Sequence, residues 1–384
     1  MSAHASSPRR LSRDNSRGLS LGQFVTGLAD TDADATARRH VVDAIIDCIG
    51  CALAARNEPL LAPLLAVYRT STTRDAAHPV PVLGTGSIAT SVVAARLLGL
   101  DANQVETAAS IGASSSAGVR MNFGTMTKPL HAGNAARNGV LAAQLAQAGF
   151  TATHDPFTHK YGFARVFTGA AADTASPRHW GDELEIASEY GLCLKPFPAC
   201  AATHTAIEAT LAIRAELGGD ISRIERMVVG ASKLAFLALI YPDPVTPLQC
   251  KFSMQYCVAR ALLSGEIVMS SFEPALAAEP ALRAWLPRVI MEDDPRVRDH
   301  PEMGAVVRAE LKDGTHIERT VLIAAGKPER WFDRERLWSK FVDCTRTGGL
   351  DDAWARRVFD ALQDLDRAAP VGDVLELLGR PQAA

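Results

Sequence analysis

The sequence predicts a mainly α-helical protein, made of a large all-helical domain and a smaller α+β domain. Two observations support this fold class. Alanine-rich segments with helical spacing fill most of the chain up to about residue 150, and short β-branched runs typical of strands begin only after residue 220. We therefore expect the helical domain to contain residues 20–187 and 327–384, and the α+β domain to contain residues 188–326.

The N-terminal helices are predicted from apolar residues that recur every three to four positions. Asn57-Glu58-Pro59 and Gly99-Leu100-Asp101 interrupt the pattern, and Asp101 is a suitable N-cap. Residues 81–86 form a short extended piece that ends in a glycine turn. The predicted helices are Thr36–Ala55, Leu60–Tyr68, Ile88–Leu98, Asn103–Ala117 and Gly133–Ala148. Their small residues favour close packing, as in a compact helical domain.

The α+β domain is predicted from strand-like runs that surround one helix at residues 252–264. Asp313-Gly314 is a dipeptide typical of a hairpin turn, so the runs on either side of it are expected to pair. The predicted strands are 226–230, 288–291, 305–311 and 316–323. From Arg330 onward the pattern is helical again, and this last segment is expected to pack back on the first domain.

Composition excludes several classes of protein. Residues 1–19 contain four arginines among serines and no apolar core, which indicates a disordered tail. An organelle transit peptide is the alternative, and the acidic Asp14 argues against it. The net charge of -3 predicts neither a nucleic-acid nor an anionic-membrane partner. Because Asp43, Asp47 and Gly50 interrupt the apolar run of residues 41–55, no membrane span is predicted, and we expect a cytoplasmic location.

The seven cysteines do not form the pattern of a secreted disulfide framework, because their number is odd and most lie in helical segments. Cys48-Ile49-Gly50-Cys51 has the CxxC spacing, but no second CxxC supplies zinc ligands. We interpret these two residues as buried structural thiols rather than as a redox or metal site. No metal site and no cofactor are predicted.

Two lysines that precede prolines are the strongest functional signal. Lys128-Pro129 lies before a helical pattern and is followed by His131, and Lys195-Pro196 is followed by a helix that begins near His204. The residue before a proline is disfavoured in the α region, so each lysine is expected on a turn. Lysine ammonium groups and helix N-termini both favour carboxylates, so the two turns predict one anionic-ligand pocket.

These motifs resemble the MmgE/PrpD family, which includes 2-methylcitrate dehydratases, cis-aconitate decarboxylases and related isomerases. The resemblance implies that the α+β domain is a lid on the helical domain and that the chain forms a homodimer. It is carried in order by residues 47–54, 84–86, 94–101, 128–133, 149–152, 161–163, 195–204 and 251–265.

One family segment is missing from the sequence. Members of the family carry a long helical segment after the Gly-Thr-Gly turn, with an Asp-Asp-Thr stretch and a His-Pro pair that belong to the active site. Here Gly86 leads through residues 87–90 straight into the Val92–Leu98 helix, and His78-Pro79 lies before the turn rather than after it. Part of the expected pocket therefore has no counterpart.

The resemblance implies roles for six residues. Lys128 and Lys195 would bind the substrate carboxylates, with desolvation lowering the pKa of one ammonium, and His204 would shuttle a proton. The other three are expected to line the substrate pocket: His131, Cys200 and Tyr241. For each residue a structural role is the alternative: a surface lysine, a helix-capping histidine, an ordinary thiol or a tyrosine that packs a turn.

The first functional hypothesis is a cofactor-independent hydro-lyase that acts on a 2-methylcitrate-like di- or tricarboxylic acid. Decarboxylation or isomerisation of a cis-aconitate-like acid is the enzymatic alternative, because all these reactions pass through a similar carbanion. A catalytically weak relative that binds acids or serves as an assembly partner is the alternative from another class. The missing segment favours that third hypothesis.

Overall fold

The computed structural model describes residues 20–29, 33–59, 61, 87–122, 125–157, 159–168, 186, 188, 191–365 and 371–379. The predicted tail of residues 1–19, most of the predicted helix at residues 60–68, the extended piece at residues 81–86 and His78-Pro79 lie outside these ranges. The chain falls into two compact units. The first unit is Met1–Val41, Ala62–Asn122 and Met126–Ser188, and the second unit is Val42–Leu61, Phe123–Thr125 and Glu189–Ala384.

The first unit is helical in its described part. Its helices are α1 (Leu21–Gly27), the beginning of α2 (Ala35–Ala55), α3 (Ser87–Leu97), α4 (Ala102–Ser114), α5 (Thr127–Gln147) and α6 (Phe163–Thr168). Small side chains dominate the core where α1, α3, α4 and α5 meet, with Ala95, Ala108 and Ala143 fully buried. A Cβ atom on Gly22 would lie 2.0 Å from the carbonyl oxygen of Ala102, so the close contact of α1 with α4 requires glycine. The predicted close packing of alanine-rich helices is confirmed.

Two helix starts test the sequence-based boundaries. The predicted N-cap Asp101 is confirmed: its carboxylate accepts a hydrogen bond from the Gln104 N–H, and the Gln104 side chain accepts one from the Asp101 N–H. The start of α5 was predicted wrongly. The helix begins at Thr127 rather than Gly133, so Lys128 and Pro129 lie in its first turn. A proline is tolerated there because the N–H groups of the first turn have no intrahelical acceptor.

The second unit contains a four-stranded sheet and most of the remaining helices. Its strands are β1 (Ile224–Ala231), β2 (Val289–Asp293), β3 (Ala305–Leu311) and β4 (His316–Val321), in the order β2-β1-β3-β4. β1 pairs in parallel with β2 and antiparallel with β3, and β3 pairs antiparallel with β4. The predicted hairpin is confirmed, with Gly314 in the left-handed region at φ +83°.

The helices of the second unit surround the sheet and continue to the described C-terminus. They are the later part of α2, α7 (His204–Glu216), α8 (Lys233–Ala238), α9 (Pro247–Cys250), α10 (Met254–Ser264), α11 (Pro274–Ala277), α12 (Pro280–Trp285), α13 (Arg334–Thr347), α14 (Asp352–Gln363) and α15 (Val371–Gly379). No helix in the described ranges is long and apolar enough to cross a membrane. In its described residues the chain is mostly helical with one small sheet, as the predicted fold class requires.

The described residues of the second unit form two hydrophobic cores. One core packs α7 and α10 against the sheet. The other packs α13 and α14 on the later part of α2, through Ile46, Phe341, Trp354 and Phe359. The C-terminal helices thus pack on a helix that the sequence assigned to the first domain. The predicted domain boundaries and the lid arrangement stay predictions.

Candidate active site

The segment that carries Lys195 is irregular and is tied down at both ends. The N–H of Leu194 donates to the carbonyl of Gly326 (2.8 Å), and the N–H of Cys200 donates to the carbonyl of Lys251 (2.8 Å). A Cβ atom on Gly326 would lie 1.9 Å from the Leu194 oxygen, so only glycine permits the first contact. Between these anchors Lys195 Nζ donates to the carbonyl of Ala199 (3.1 Å). The lysine therefore lies on a turn, as predicted, and closes that turn.

His204 meets the same turn from the start of α7. Its side chain is buried, with 3% of the residue exposed, and its ring lies edge-on to Phe197 at a centroid distance of 5.7 Å. Burial, and next the charge of Lys195, lower the pKa of His204 to about 3. The imidazole is therefore neutral near pH 7, and its Nε2–H donates to the Ala199 carbonyl (3.3 Å). One carbonyl oxygen thus accepts hydrogen bonds from both predicted residues, Lys195 and His204.

The buried imidazole should make the protein sensitive to acid. Between pH 6.5 and about 3 the unfolded chain protonates His204 while the folded chain does not, so stability should fall as pH falls through this window, by up to ~1.4 kcal/mol per pH unit. The variant His204→Gln has no such group. The difference in free energy of unfolding between the wild type and this variant should therefore become smaller from pH 7 to pH 4. Denaturant unfolding at several pH values measures this difference. Parallel losses in both proteins would contradict the prediction.

Lys195 lines a cavity of about 260 Å³ within the second unit. Three cationic side chains line it, Lys195, Arg336 and Lys340, together with the carboxylates of Asp47 and Asp343. The rest of the lining is mostly apolar: Cys51, Pro196, Phe197, Pro198, Ile267, Val268, Met269, Phe332, Ser339 and Cys344. The volume is somewhat below the roughly 300–1,000 Å³ of drug-sized ligand sites, which suits a small metabolite.

The charged groups of the cavity are held by specific contacts. Asp47 forms an ion pair with Lys340. Asp343 accepts a hydrogen bond from the N–H of Met269 (3.0 Å), and burial raises the pKa of its carboxyl. The Arg336 guanidinium lies over the Phe332 ring, 5.1 Å from the centroid. Cations fixed against apolar walls interact with an anion more strongly than they would in open solvent.

The sequence prediction missed the cations of α13. Arg336, Ser339, Lys340 and Asp343 follow one another at intervals of three, one and three residues, so they share one face of the helix. Asp47 and Cys51, four residues apart, likewise share one face of α2. This polar periodicity is visible in the sequence, but it is equally typical of a solvated helix face. Only the packing of α13 on α2 shows that these residues line a cavity.

Cys200 and Tyr241 lie in the second unit, but they are not among the lining residues of this cavity. Cys200 is half-buried and packs against the core beside the sheet. Tyr241 is half-buried in the loop after α8, and Arg283 fixes that loop through an ion pair with Asp243 and a hydrogen bond to the carbonyl of Pro244 (2.8 Å). Their substrate-binding roles stay predictions.

Lys128 and His131 lie in the first unit. Both are half-buried in the first turns of α5. The His131 ring lies against Gly118, where a Cβ atom would be 3.1 Å from the ring and where φ is +126°. A side chain at position 118 would therefore displace this ring. The expected convergence of Lys128 with Lys195 on one ligand stays a prediction.

No cluster of three His, Cys, Asp or Glu side chains in the described part of the chain has the arrangement of a metal site. The cavity instead offers ammonium and guanidinium groups, which bind carboxylates by charge and hydrogen bonding.

Comparison with known proteins gives matches to two family models. The model of the MmgE/PrpD C-terminal domain matches residues 197–365, and that of the MmgE/PrpD N-terminal domain matches residues 78–175. Together these ranges cover more than half of the chain and include five of the six predicted site residues. Lys195 lies two residues before the C-terminal match.

Similar curated proteins are cis-aconitate decarboxylases. That of Mus musculus is 27% identical over 274 residues, which are 69% of this chain and 54% of the relative. That of Homo sapiens is 29% identical over 227 residues, or 57% and 45% of the two chains. That of Aspergillus terreus is 25% identical over 339 residues, or 82% and 67%. The chain thus spans about half the length of the two mammalian relatives.

Proposed function

Because this chain belongs to the MmgE/PrpD family, we propose that it is a cofactor-independent lyase acting on a small unsaturated tricarboxylic acid of the cis-aconitate type. The observation that carries the proposal is the position of Lys195 beside two further cations in a largely apolar cavity. The names of the similar proteins favour cleavage of a carbon–carbon bond over removal of water.

Charge and desolvation explain why the cavity would select a polycarboxylate. Lys340 is paired with Asp47 and Arg336 rests on Phe332, so a ligand would meet these cations in fixed positions. Lys195 extends from a turn that is anchored at both ends. Such preorganised cations lose little conformational entropy on binding, and Lys195 and Arg336 can each hold one carboxylate in a defined orientation, while Lys340 adds charge behind its partner Asp47.

The chemistry needs a stabilised carbanion. Cleavage of the carbon–carbon bond releases CO₂ and leaves its electron pair on the remaining fragment, where a neighbouring carboxylate delocalises it as an enediolate. A proton then adds to carbon. In this proposal the ammonium of Lys195 lies next to the oxygens on which charge develops, so it binds the transition state more tightly than the substrate.

His204 would position this lysine rather than donate a proton as an imidazolium, because the ring is neutral near pH 7. The His204 ring and Lys195 Nζ both donate hydrogen bonds to the Ala199 carbonyl. His204 thereby fixes the turn that carries the ammonium. For His204 to shuttle a proton, as predicted, its imidazole must have a higher pKa when the substrate is bound. An anion bound at Lys195 would act in that direction, because the charge of Lys195 lowers the pKa of His204.

Dehydration of a 2-methylcitrate-like acid uses the same stabilisation. A base removes the proton next to a carboxylate, the enediolate forms, and hydroxide leaves from the neighbouring carbon with a proton. Cations that favour one reaction therefore favour the other, and the dehydratase hypothesis stays a prediction. The homodimer and the cytoplasmic location stay predictions as well.

Carbon-13 NMR of the purified protein with labelled cis-aconitate tests the proposal, with citrate and 2-methylcitrate in parallel samples. We expect cis-aconitate to lose one carbon as CO₂ or bicarbonate and to give an unsaturated dicarboxylic acid. A folded protein that leaves all three acids unchanged would overturn the lyase. A thermal shift with these acids in the absence of turnover would favour the catalytically weak relative. The missing segment gives a physical reason for weak activity, because loss of one catalytic acid or base costs roughly 10²–10⁴-fold in rate.

A further inference from the structure

Two cysteines from distant parts of the sequence are brought together where α2 packs on α13. Cys51 lies on α2 and Cys344 on α13, and both line the cavity with Lys195 and Lys340. The two helices approach closely because position 50 is glycine: a Cβ atom there would lie 3.7 Å from the Cβ of Cys344 and 3.1 Å from the Phe341 ring. Cys344 therefore lies beside Gly50, the residue that precedes Cys51, and both cysteines line the same cavity.

The two thiols differ in accessibility and in acidity. Cys51 is exposed, which corrects the sequence-based interpretation of the CxxC pair as buried thiols, whereas Cys344 is buried. The neighbouring Cys344 thiol, and next the charges of Lys340 and Lys195, lower the pKa of Cys51 against the opposing effects of partial desolvation beside the cavity and of Asp47. The neighbouring Cys51 sulfur, together with burial, raises the pKa of Cys344. Cys51 thus has the properties of an attacking thiol, and Cys344 is the neighbouring thiol that can resolve it.

Other described cysteines lack this combination. Cys250 and Cys257 are also neighbours, but they are buried in the core beside the sheet, and burial raises the pKa of both thiols, that of Cys250 to about 11. Burial, and next the charge of Cys51, raises the pKa of Cys48 to about 11. The oxidation rates of these thiols can be compared with that of Cys51 in the same sample.

We propose that Cys51 and Cys344 form a redox-active dithiol that a hydroperoxide oxidises to an intramolecular disulfide. The Cys51 thiolate attacks the terminal peroxide oxygen, the O–O bond breaks, and an alcohol or water leaves after taking up a proton; Cys51 becomes a sulfenic acid. The Cys344 sulfur then attacks the Cys51 sulfur, losing its proton while the hydroxyl group leaves as water. The peroxide is reduced by two electrons, and the two thiols are oxidised to one disulfide.

The disulfide would tie α2 covalently to α13 along one wall of the cavity. It would also remove the exposed thiol that lies near Lys195 and Lys340. Access to the cavity would then depend on the redox state. This inference does not require the proposed lyase activity, since its readout is the state of the thiols.

Peptide mapping of the reduced full-length protein tests the proposal. The protein is exposed to increasing hydrogen peroxide, free thiols are blocked, and a tryptic digest is made without reductant. Cleavage at the basic residues gives a peptide of residues 40–56, with Cys48 and Cys51, and one of residues 341–346, with Cys344. We expect these two peptides to become linked, and dithiothreitol to separate them.

Cys51 should react at least about tenfold faster than Cys250, because a difference of one pKa unit changes the thiolate fraction tenfold. Variant Cys344→Ser should stop at a sulfenic acid on Cys51 that dimedone traps, and Cys51→Ser should leave position 344 reduced. Variant Cys48→Ser is the matched control and should still form the link.

Three results would overturn the proposal: a bond between Cys48 and Cys51 as the main product, equal oxidation rates for Cys51 and Cys250, or loss of the linked peptide in Cys48→Ser. Thermal melts establish that each serine variant is folded. Should Cys344→Ser unfold, Cys344→Ala replaces it for the dimedone experiment, since an apolar side chain suits that buried position.

Discussion

Replacing Lys195 with methionine is expected to lower kcat/KM for cis-aconitate by roughly 10²–10³-fold, the usual effect of removing one preorganised donor from a developing oxyanion. Methionine keeps most of the length of the side chain and removes the charge. The loss should appear in both kcat and KM, because the ammonium is proposed to hold the substrate carboxylate and to stabilise the enediolate. Steady-state kinetics followed by NMR or by absorbance of the unsaturated acid measures it. This result rests on the proposed function.

Two further variants separate charge from folding. Lys195→Arg keeps the cation with a different shape and should recover part of the lost activity. Lys312→Met removes an exposed lysine on the β3–β4 turn and should leave the kinetics unchanged. Because Lys195 Nζ also donates to the Ala199 carbonyl, thermal melts must show that the methionine variant is folded. Wild-type kinetics in a folded Lys195→Met protein would exclude the lysine from the chemistry.

Replacing Phe341 with alanine is expected to lower the free energy of unfolding by about 3–5 kcal/mol, as large-to-small changes of aromatic side chains in cores do. Only 2% of Phe341 is exposed, and its ring lies 5.6 Å from that of Phe359 and 6.4 Å from that of Trp338. The ring also fills the space against Gly50, where α13 meets α2. Denaturant unfolding followed by tryptophan fluorescence reports the loss, because Trp338 and Trp354 belong to or pack against the same core.

Phe150→Ala is the matched control for this prediction. The same side chain is removed at a position that is 60% exposed, so the loss should be within about 0.5 kcal/mol. Equal losses in the two variants would mean that packing of α13 and α14 on α2 does not stabilise the second unit.

The sequence predicted the fold well where local signals were strong. The Asp101 cap, the Asp313-Gly314 hairpin and the long α2 all depend on side chains within a few residues. The predicted start of α5 is too late, because a Lys-Pro pair is typical of a turn and proline also fits the first turn of a helix. The sequence could not place the sheet order, since β1 pairs with strands about 60 and 80 residues further along the chain.

For the candidate site, too, residues that are close in sequence were easier to predict than residues that only the packing of helices brings together. Lys195 and His204 are nine residues apart, and the structure brings them to one carbonyl oxygen, that of Ala199. Arg336 and Lys340 reach the cavity only through packing of α13 on α2, which no local pattern specifies. Likewise, Cys51 and Cys344 are 293 positions apart, so no local pattern connects them, and the CxxC spacing was interpreted as a pair of buried structural thiols.

A crystal structure of the protein with tricarballylate would test the central claim most directly. This saturated tricarboxylate keeps the charges of the substrate and lacks the double bond that would delocalise a carbanion. We expect one carboxylate oxygen to lie about 2.7–2.9 Å from Lys195 Nζ, the distance of a charge-assisted hydrogen bond, with a second carboxylate held by another cation. A ligand bound elsewhere, with the Lys195 ammonium turned away from it, would contradict the claim.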